Sequence, residues 1–269
     1  MSVKKHDFYS LTEDFKNLGI KPDDNVLIHS SLKSIGEVEG GADTVLDVFV
    51  KYLAEKGNIV LPTHTWAQIN AEYNIFDPER EPSCVGILPE IFRKRKGALR
   101  SLHPTHSVAV MGKDAEYFVK DEHLIDTPCG RKGCWGKFLD MDFKIIFLGC
   151  STKCNTYLHG VEEWLDIPDR LTEDYQKLKI IMPDGTVFDR PSRRHYNKYG
   201  NISDHYDKIQ PYMEEKGLAV KGKFGDADCV VEKARDIYDV ASDLLAEDTN
   251  FFGCKANNEN ENDNIEESK

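Results

Sequence analysis

The residues best suited to chemistry are a histidine and a glutamate three positions apart, His159 and Glu162. They follow an apolar run, 145–149, that predicts a buried strand, and a polar stretch in which Asn155 or Thr156 can cap a helix. Residues at i and i+3 share one helix face, so both side chains can reach one pocket. A helix amino terminus favours a neutral imidazole, which can act as a base near pH 7. Surface pairs show the same spacing, so the pattern alone leaves the role open.

These residues need strands and helices that bring them to a pocket. The short apolar segments 25–29, 58–61, 107–111 and 144–148 predict strands, and helical spacing predicts a helix from near Asp43 to Gly57. A strand, loop, helix and strand in this order indicate a partly parallel sheet, which binds ligands at the carboxyl ends of its strands. We therefore expect a layered α/β/α fold around a central mixed sheet.

Two later segments extend this prediction. Residues 179–188 predict a hairpin that turns at Asp184 and Gly185, which would make the sheet mixed. Apolar positions from Val230 to Leu245 predict a long amphipathic helix packed on the sheet. No Pro-, Gly- or Ser-rich linker divides the chain, so we expect one domain over 1–254 and a disordered polar tail over 255–269.

Composition excludes several classes of protein. The formal net charge of −12 over 269 residues argues against binding to a nucleic-acid backbone. It would favour a cationic small molecule if the carboxylates converged on a cleft, although a solvated acidic surface is the simpler explanation. The seven cysteines lack the spacing of a disulfide framework, and no apolar run approaches the length of a membrane span or signal peptide. We expect a cytoplasmic protein with reduced thiols that does not bind membranes.

The loop over 30–41 separates the first predicted strand from the first predicted helix. It has three glycines and paired hydroxyl groups, so its backbone amides could hold a phosphate or a cofactor with a pyrophosphate. It matches neither the dinucleotide-binding glycine pattern nor the Walker P-loop. An ordinary connection between strand and helix is the alternative.

Five motifs occur in order along the chain. They are 29–36 with 40–42 and 60–63, 76–78 with 82–86, 100–109, 126–130, and 148–149 with 156–162. Together they resemble the aminoglycoside 3-N-acetyltransferase family over about residues 10 to 250. The resemblance implies transfer of an acetyl group from acetyl-CoA to an amino group of a deoxystreptamine antibiotic. It also implies an α/β fold distinct from that of the GNAT acetyltransferases, whose pyrophosphate-loop pattern this chain does not contain.

The resemblance implies roles for individual residues. His159 matches the family's catalytic histidine, and Glu162 matches the acid beside it. The coenzyme would lie along the loop after the first strand and near two later hydroxyl groups. The implied coenzyme-binding residues are His29, Ser30, Ser31, Leu32, Lys33, Ser34, Ile35, Ser107 and Thr156. We expect no bound metal.

The chemistry of acyl transfer suits these roles. A protonated amine cannot attack a thioester, so a base such as His159 must remove a proton. Glu162, if hydrogen-bonded to the far ring nitrogen, would orient His159 and stabilise the imidazolium. Direct attack on the thioester follows. The oxyanion needs donors, either backbone N–H groups at the start of the His159 helix or serine hydroxyls.

Recognition of the acceptor depends on other residues. A cationic amine needs carboxylates, for which we predict Asp77, Asp126 and Asp204, although turn-capping roles are equally compatible with these positions. The segments 131–132 and 193–195 add positive charge to the presumed acceptor region. The alternatives are therefore the same chemistry on another amine or amino sugar, or a relative that binds the coenzyme or a ligand without catalysis.

Other residues suggest competing classes. His159, Glu162 and Glu163 resemble half of an inverted zinc motif but lack its second histidine, and 149–153 resembles a nucleophile elbow that ends in Lys153 instead of glycine. His103 is expected to order the loop before Ser107. His106 is expected to be a loop or core residue, and Trp66, Trp135 and Trp164 are expected to lie in the core or a pocket wall.

Overall fold

The structure is a computed structural model that describes residues 5–198 and 200–253. The described chain forms eight α-helices and ten strands. The helices are α1 (Phe8–Asn17), α2 (Gly41–Leu53), α3 (Ile87–Phe92), α4 (Ala115–Val119), α5 (Cys134–Asp140), α6 (Thr156–Trp164), α7 (Gln210–Glu215) and α8 (Ala234–Glu247). The strands are β1 (Asn25–Ser30), β2 (Asn58–Pro62), β3 (Ile75–Phe76), β4 (Leu99–Arg100), β5 (Val108–Gly112), β6 (Lys144–Leu148), β7 (Lys179–Ile181), β8 (Val187–Asp189), β9 (Val220–Phe224) and β10 (Ala227–Lys233).

Seven of the strands form the central sheet, in the order β4-β5-β2-β1-β6-β10-β9. The three middle strands β2, β1 and β6 are parallel, whereas β5 is antiparallel to β2 and β10 is antiparallel to β6. The carboxyl ends of β1, β2 and β6 therefore meet at one edge, together with the amino end of β5. A ligand site is expected at this edge.

Side chains alternate between the two faces of the sheet and build two apolar layers. Leu27, Ile145 and Phe147 pack on one face against α5, α6 and α8. Val26 and Ile146 pack on the opposite face against α1, α2 and α3. This arrangement confirms the predicted layered α/β/α fold with a mixed sheet.

Two predictions about secondary structure are wrong. Val230 and Val231 do not begin the last helix but lie in β10, which pairs with both β6 and β9, and α8 begins only at Ala234. The predicted hairpin exists as β7 and β8, but it joins β3 in a separate three-stranded sheet. The central sheet is mixed because β5 pairs antiparallel with β2 and β4, and β10 pairs antiparallel with β6 and β9.

Smaller differences concern the loop after β1. It contains a short 3-10 helix, Leu32–Ile35, and α2 begins at Gly41 and ends at Leu53. None of the helices in the described ranges is long and apolar enough to cross a lipid bilayer. The predicted disordered tail over 255–269 lies outside the described residues.

Candidate active site

A cavity of about 550 Å³ opens where the strand ends of the central sheet meet. His29 and Ser30 reach its wall from the end of β1, and His64 follows β2. His106 precedes β5, and Cys150 follows β6. The antiparallel direction of β5 explains why a residue before that strand joins residues that follow the parallel strands.

The first turns of α6 close the cavity on one side. Gly149, with φ +65°, ends β6 and turns the chain toward a 3-10 helix, Thr152–Cys154, whose capping residue Ser151 accepts the Lys153 N–H at 3.2 Å. Helix α6 then begins, and Thr156 and His159 both reach the cavity wall. Asn155 precedes α6 but makes no side-chain capping bond.

His159 is held by a chain of hydrogen bonds that runs away from the cavity. Its Nδ1 lies 2.6 Å from the hydroxyl of Tyr206, which donates to Glu162 Oε2 at 2.6 Å. Arg170 Nε donates to Glu162 Oε1 at 2.6 Å. Because the Tyr206 O–H points to the carboxylate, His159 Nδ1 carries the hydrogen that binds the Tyr206 oxygen. Nε2 is then the ring nitrogen that can accept a proton.

His159 and Glu162 are therefore not joined by the direct hydrogen bond that we expected. Both side chains lie on the same part of α6, but the buried phenol of Tyr206 stands between them. Arg170 occupies the other carboxylate oxygen. Glu162 thus acts on the imidazole through Tyr206.

The surroundings of His159 keep its imidazole neutral. Burial, and next the neighbouring His195 and Arg170, lower the pKa of His159 well below its ordinary value. Burial raises the pKa of Glu162, against the opposing effects of Arg170 and Tyr206. A neutral imidazole is the form that can accept a proton from an amine.

A second imidazole lies against the first. The rings of His159 and His195 stack with centroids 3.9 Å apart and planes 15° apart. His195 Nε2 lies 2.8 Å from Glu163 Oε1, which also accepts the backbone N–H of Cys129 at 2.9 Å. His195 reaches the cavity wall beside His106.

One group within the described residues has the side chains to hold a metal ion. Ligand atoms of Cys129, Glu163 and His195 all lie within 4.8 Å of one another. Burial, however, raises the pKa of the Cys129 thiol well above its ordinary value, which favours the form that does not bind metals. The hydrogen bond from His195 to Glu163 already accounts for the proximity of those two residues, and our expectation of no bound metal stays a prediction.

Three of the nine predicted coenzyme-binding residues lie on the cavity wall: His29, Ser30 and Thr156. Ser31 and Ser34 instead bond to each other at 3.0 Å, and Ser34 donates to the Gly149 carbonyl at 2.8 Å, which fastens this loop to the end of β6. Neither these two serines nor the remaining four predicted residues are on the cavity wall.

These four have other environments. Ile35 is buried in the core and Leu32 packs against that core, whereas Lys33 is exposed. Ser107 is buried, donates to the Thr63 carbonyl at 2.8 Å and accepts from Arg100 Nε at 3.1 Å. Ser107 therefore supports the floor beneath the cavity rather than its wall.

The three predicted acceptor-binding aspartates are not on the cavity wall. Asp77 accepts the backbone N–H groups of Glu79 and Arg80, as a turn residue does. Asp126 lies 3.4 Å from the Tyr175 hydroxyl, and Asp204 accepts from Asn201 at 3.1 Å. Their role in binding an acceptor stays a prediction.

Several residues on or behind the cavity wall were missed or misplaced by sequence reasoning. His106 is a buried loop residue, as predicted, but it also lines the cavity, and His64 joins it there. Tyr206, Arg170 and His195 lie outside α6, and no local pattern connects them to His159. Of these residues, only His106 had a local sequence signal, the pair of histidines before β5. His103 accepts the backbone N–H groups of Thr105 and His106 and so fixes the loop that carries His106.

The fold and this site define a class: an α/β protein with a neutral, buried imidazole on a cavity wall at the carboxyl edge of a mixed sheet. A family model for aminoglycoside 3-N-acetyltransferases matches residues 27–246. The chain therefore belongs to the aminoglycoside 3-N-acetyltransferase family.

Individual relatives agree with this membership. The chain is 28% identical over 258 residues to aminoglycoside N(3)-acetyltransferase VII of Streptomyces paromomycinus, covering 85% of this chain and 88% of that protein. It is 26% identical over 255 residues to the SPbeta prophage-derived aminoglycoside N(3')-acetyltransferase-like protein YokD of Bacillus subtilis (strain 168), covering 86% and 89%.

Solved structures share the fold. AAC-IIIb in its binary complex with CoASH superposes with a TM-score of 0.79 at 23% identity, covering 91% of this chain and 97% of that one. AAC(3)-IVa in complex with gentamicin gives a TM-score of 0.81 at 24% identity, with coverages of 94% and 93%. The fold is therefore that of these enzymes, as the sequence predicted.

Proposed function

We propose that this protein transfers the acetyl group of acetyl-CoA to an amino group of an aminoglycoside, with the 3-amino group of deoxystreptamine as the first position to examine. The observation that carries this proposal is the hydrogen-bond chain that holds His159 Nδ1. Tyr206 binds Nδ1, so Nε2 is left to take a proton from an amine in the cavity.

The proposed reaction is a direct transfer. His159 Nε2 removes a proton from the attacking amine, the nitrogen bonds to the thioester carbonyl carbon, and the C–S bond breaks to release the coenzyme thiolate. The imidazolium that forms is stabilised through Tyr206 by the Glu162 carboxylate. The oxyanion would be held by backbone N–H groups at the start of α6 or by the Ser30 hydroxyl.

The cavity also has groups that suit the coenzyme. His29 Nε2 and Ser30 Oγ, of two residues on the cavity wall, are buried and have no hydrogen-bond partner within the described residues. Buried polar atoms without partners are costly, so these atoms fit a ligand with amide and hydroxyl groups, such as a pantetheine arm. That AAC-IIIb is known in complex with CoASH supports acetyl-CoA as the donor here.

A second acceptor class is favoured by one observation. Two cationic side chains, Lys153 and Arg194, lie on the cavity wall. The Arg194 guanidinium donates to the neutral backbone carbonyls of Ile69 and Trp66, at 2.7 and 2.9 Å. An amine with fewer positive charges than an aminoglycoside, such as an amino sugar, would meet less repulsion there.

Mass spectrometry of the products tests both acceptor classes. Purified protein and acetyl-CoA would be incubated with gentamicin, sisomicin, glucosamine and glucosamine 6-phosphate. A gain of one acetyl group on an aminoglycoside supports the first proposal, and higher kcat/KM on the amino sugars supports the second. No acetylation of any amine would reject the proposed function.

Variants test the role of the base. His159→Ala should lower kcat by at least about 10²-fold, the lower end of the usual contribution of a general base, while acetyl-CoA binding stays near that of wild type. His123→Ala is the matched control, because His123 is half-buried against Phe188 and is not on the cavity wall. Near-wild-type turnover by His159→Ala would reject this role.

A further inference from the structure

The pair formed by His195 and Glu163 has no role in the reaction described above. It nevertheless resembles the arrangement around His159, because an imidazole on the cavity wall is anchored by a buried carboxylate. The Glu163 carboxylate is itself fixed by the backbone N–H of Cys129. With the two rings stacked at 3.9 Å, both imidazoles would meet the same amine.

The chemistry of the reaction calls for two proton acceptors. An acceptor amine enters as an ammonium ion, which must lose one proton before its lone pair can attack. The nitrogen must lose a second proton once it has bonded to the carbonyl carbon. A single imidazole can hold only one of these protons at a time.

We propose that His195, oriented by Glu163, accepts the first proton from the acceptor ammonium, and that His159 accepts the second. This inference rests on the proposed function. The first transfer converts ammonium to neutral amine and His195 to an imidazolium beside the Glu163 carboxylate. The second proton passes from His159 to the departing coenzyme thiolate, and His195 returns its proton to solvent. The sum is ammonium plus acetyl-CoA giving amide, CoASH and one proton.

The surroundings of the pair keep His195 neutral before the ammonium arrives, so an imidazolium formed there gives its proton back readily. Burial raises the pKa of Glu163 to about 7, with Asp126 acting in the same direction and the backbone N–H of Cys129 and Arg193 opposing it. Burial, and next Arg194, lower the pKa of His195 to about 3. The groups that face the pair from neighbouring elements are Thr127, Cys129, His106, His159, Arg193, Arg194 and Asp126.

The test compares wild type with His195→Asn across pH, using acetyl-CoA and both gentamicin and glucosamine as acceptors. Near pH 6.5 the amine is protonated, and kcat/KM of the variant should be about 10²-fold below that of wild type. Near pH 9.5 much more of the amine is already neutral, so the first transfer matters less. The deficit should then shrink to within about threefold, with KM for acetyl-CoA unchanged throughout.

A second variant distinguishes loss of the proposed proton transfer from a folding defect. Glu163→Gln keeps an oxygen for the Cys129 N–H but removes the negative charge, so it should show the same pH-dependent deficit. His123→Asn is the matched control and should follow wild type at every pH. A merely structural role for His195 would lower activity equally across pH and raise KM for acetyl-CoA.

Several outcomes overturn the proposal. A deficit independent of pH in both variants would do so while leaving the proposed function intact. Zinc bound stoichiometrically to wild type and lost from His195→Asn would also do so, because the pair would then be a metal site. If wild type acetylates neither acceptor, the proposed function fails first and this inference fails with it.

Discussion

Among single residues, Tyr206 has the most specific role, because its hydroxyl is the link between the base and its carboxylate. Tyr206→Phe would leave the His159 Nδ1 hydrogen and Glu162 Oε2 without the partners that they have now. A hydrogen bond to a charged group contributes about 1.5–3 kcal/mol, so we expect kcat to fall about tenfold to a hundredfold. Steady-state kinetics with acetyl-CoA and an accepted amine would measure this.

The control for Tyr206→Phe is Tyr238→Phe, because Tyr238 packs beside Trp164 and is not on the cavity wall. Its kcat should equal that of wild type. If Tyr206→Phe also turns over at the wild-type rate with an unchanged pH profile, the hydrogen-bond chain does not set the tautomer of His159.

A second prediction for a single residue concerns the thiols at the cavity mouth. Cys154 is exposed, and its hydrogen bond with the Cys150 thiol lowers the pKa of Cys154 to about 7. Burial instead raises the pKa of the half-buried Cys84. Since the thiolate is the reactive form, iodoacetamide at pH 7 should modify Cys154 before Cys84.

Peptide mass mapping over time would compare the two sites. Cys150→Ala removes the hydrogen bond and should slow the modification of Cys154, and saturating CoA should also slow it if the coenzyme fills this cavity. Equal rates at Cys154 and Cys84 in wild type would show that the thiol pair does not activate Cys154.

At the scale of elements, the turn that ends β6 holds the loop after β1 in place. Gly149 has φ +65°, and a Cβ there would lie 2.5 Å from Ser34 Cβ and 3.0 Å from Ala227 Cβ. Gly19 has φ +78° with no atom near its would-be Cβ. Gly19→Ala should therefore cost about 1–2 kcal/mol for the backbone conformation alone. Gly149→Ala should cost about 1–3 kcal/mol more because of crowding.

Urea unfolding of the two variants would measure both free energies, and coenzyme affinity would report on the loop. Gly149→Ala should weaken CoA binding, because Ser34 would have to move away from the Gly149 carbonyl. Gly19→Ala should leave binding unchanged. Equal destabilisation by the two variants would mean that the contact with Ser34 does not constrain this loop.

How well the sequence predicted each element depended on how local its signal was. Strand β6 and the start of α6 were predictable because an apolar run and a polar turn lie next to each other in the chain. β10 was missed because Val230 and Val231 also fit the helical spacing of α8. Gly225 and Asp226, between β9 and β10, form a two-residue hairpin loop, for which glycine at the first position is typical.

The same reasoning applies to the site. His159 and Glu162 could be paired from their spacing, because one helix carries both. No local pattern connects them to Tyr206, Arg170 or His195, which lie 8 to 47 positions from the pair in the chain. Only the packing of α6 against the 3-10 helix Ile202–Ile209 brings Tyr206 between the two side chains.

Over the whole molecule, buried histidines should make the fold sensitive to acid. Burial lowers the pKa of six histidines, to about 4 for His29 and about 3 for His103 and His195. The other three are His64, His106 and His159. In the unfolded chain each titrates near 6.5, so below that pH the unfolded chain binds protons that the folded protein does not. Stability is therefore lost as pH falls, by up to about 1.4 kcal/mol per pH unit for each histidine.

Four buried carboxyl groups act in the opposite direction. Burial raises the pKa of Glu163 and Glu232 to about 7, and it also raises that of Glu122 and Glu162. Between about pH 4.5 and 7 the folded protein keeps protons that the unfolded chain releases, which offsets part of the histidine effect. Below about 4.5 this offset no longer grows, because the unfolded carboxyl groups are protonated too.

The six histidines lower stability as pH falls, and the four carboxyl groups offset part of this loss. We therefore expect a shallow loss of stability from pH 6.5 to 4.5 and a steeper loss below 4.5. Urea midpoints measured from pH 8 to 3.5 would show this change of slope. His64→Gln removes one titrating group and should flatten the acid limb by about one proton. Stability that stays constant or rises as pH falls from 6 to 4 would contradict the prediction. It would mean either that the four carboxyl groups outweigh the six histidines or that these imidazoles gain protons in the folded state.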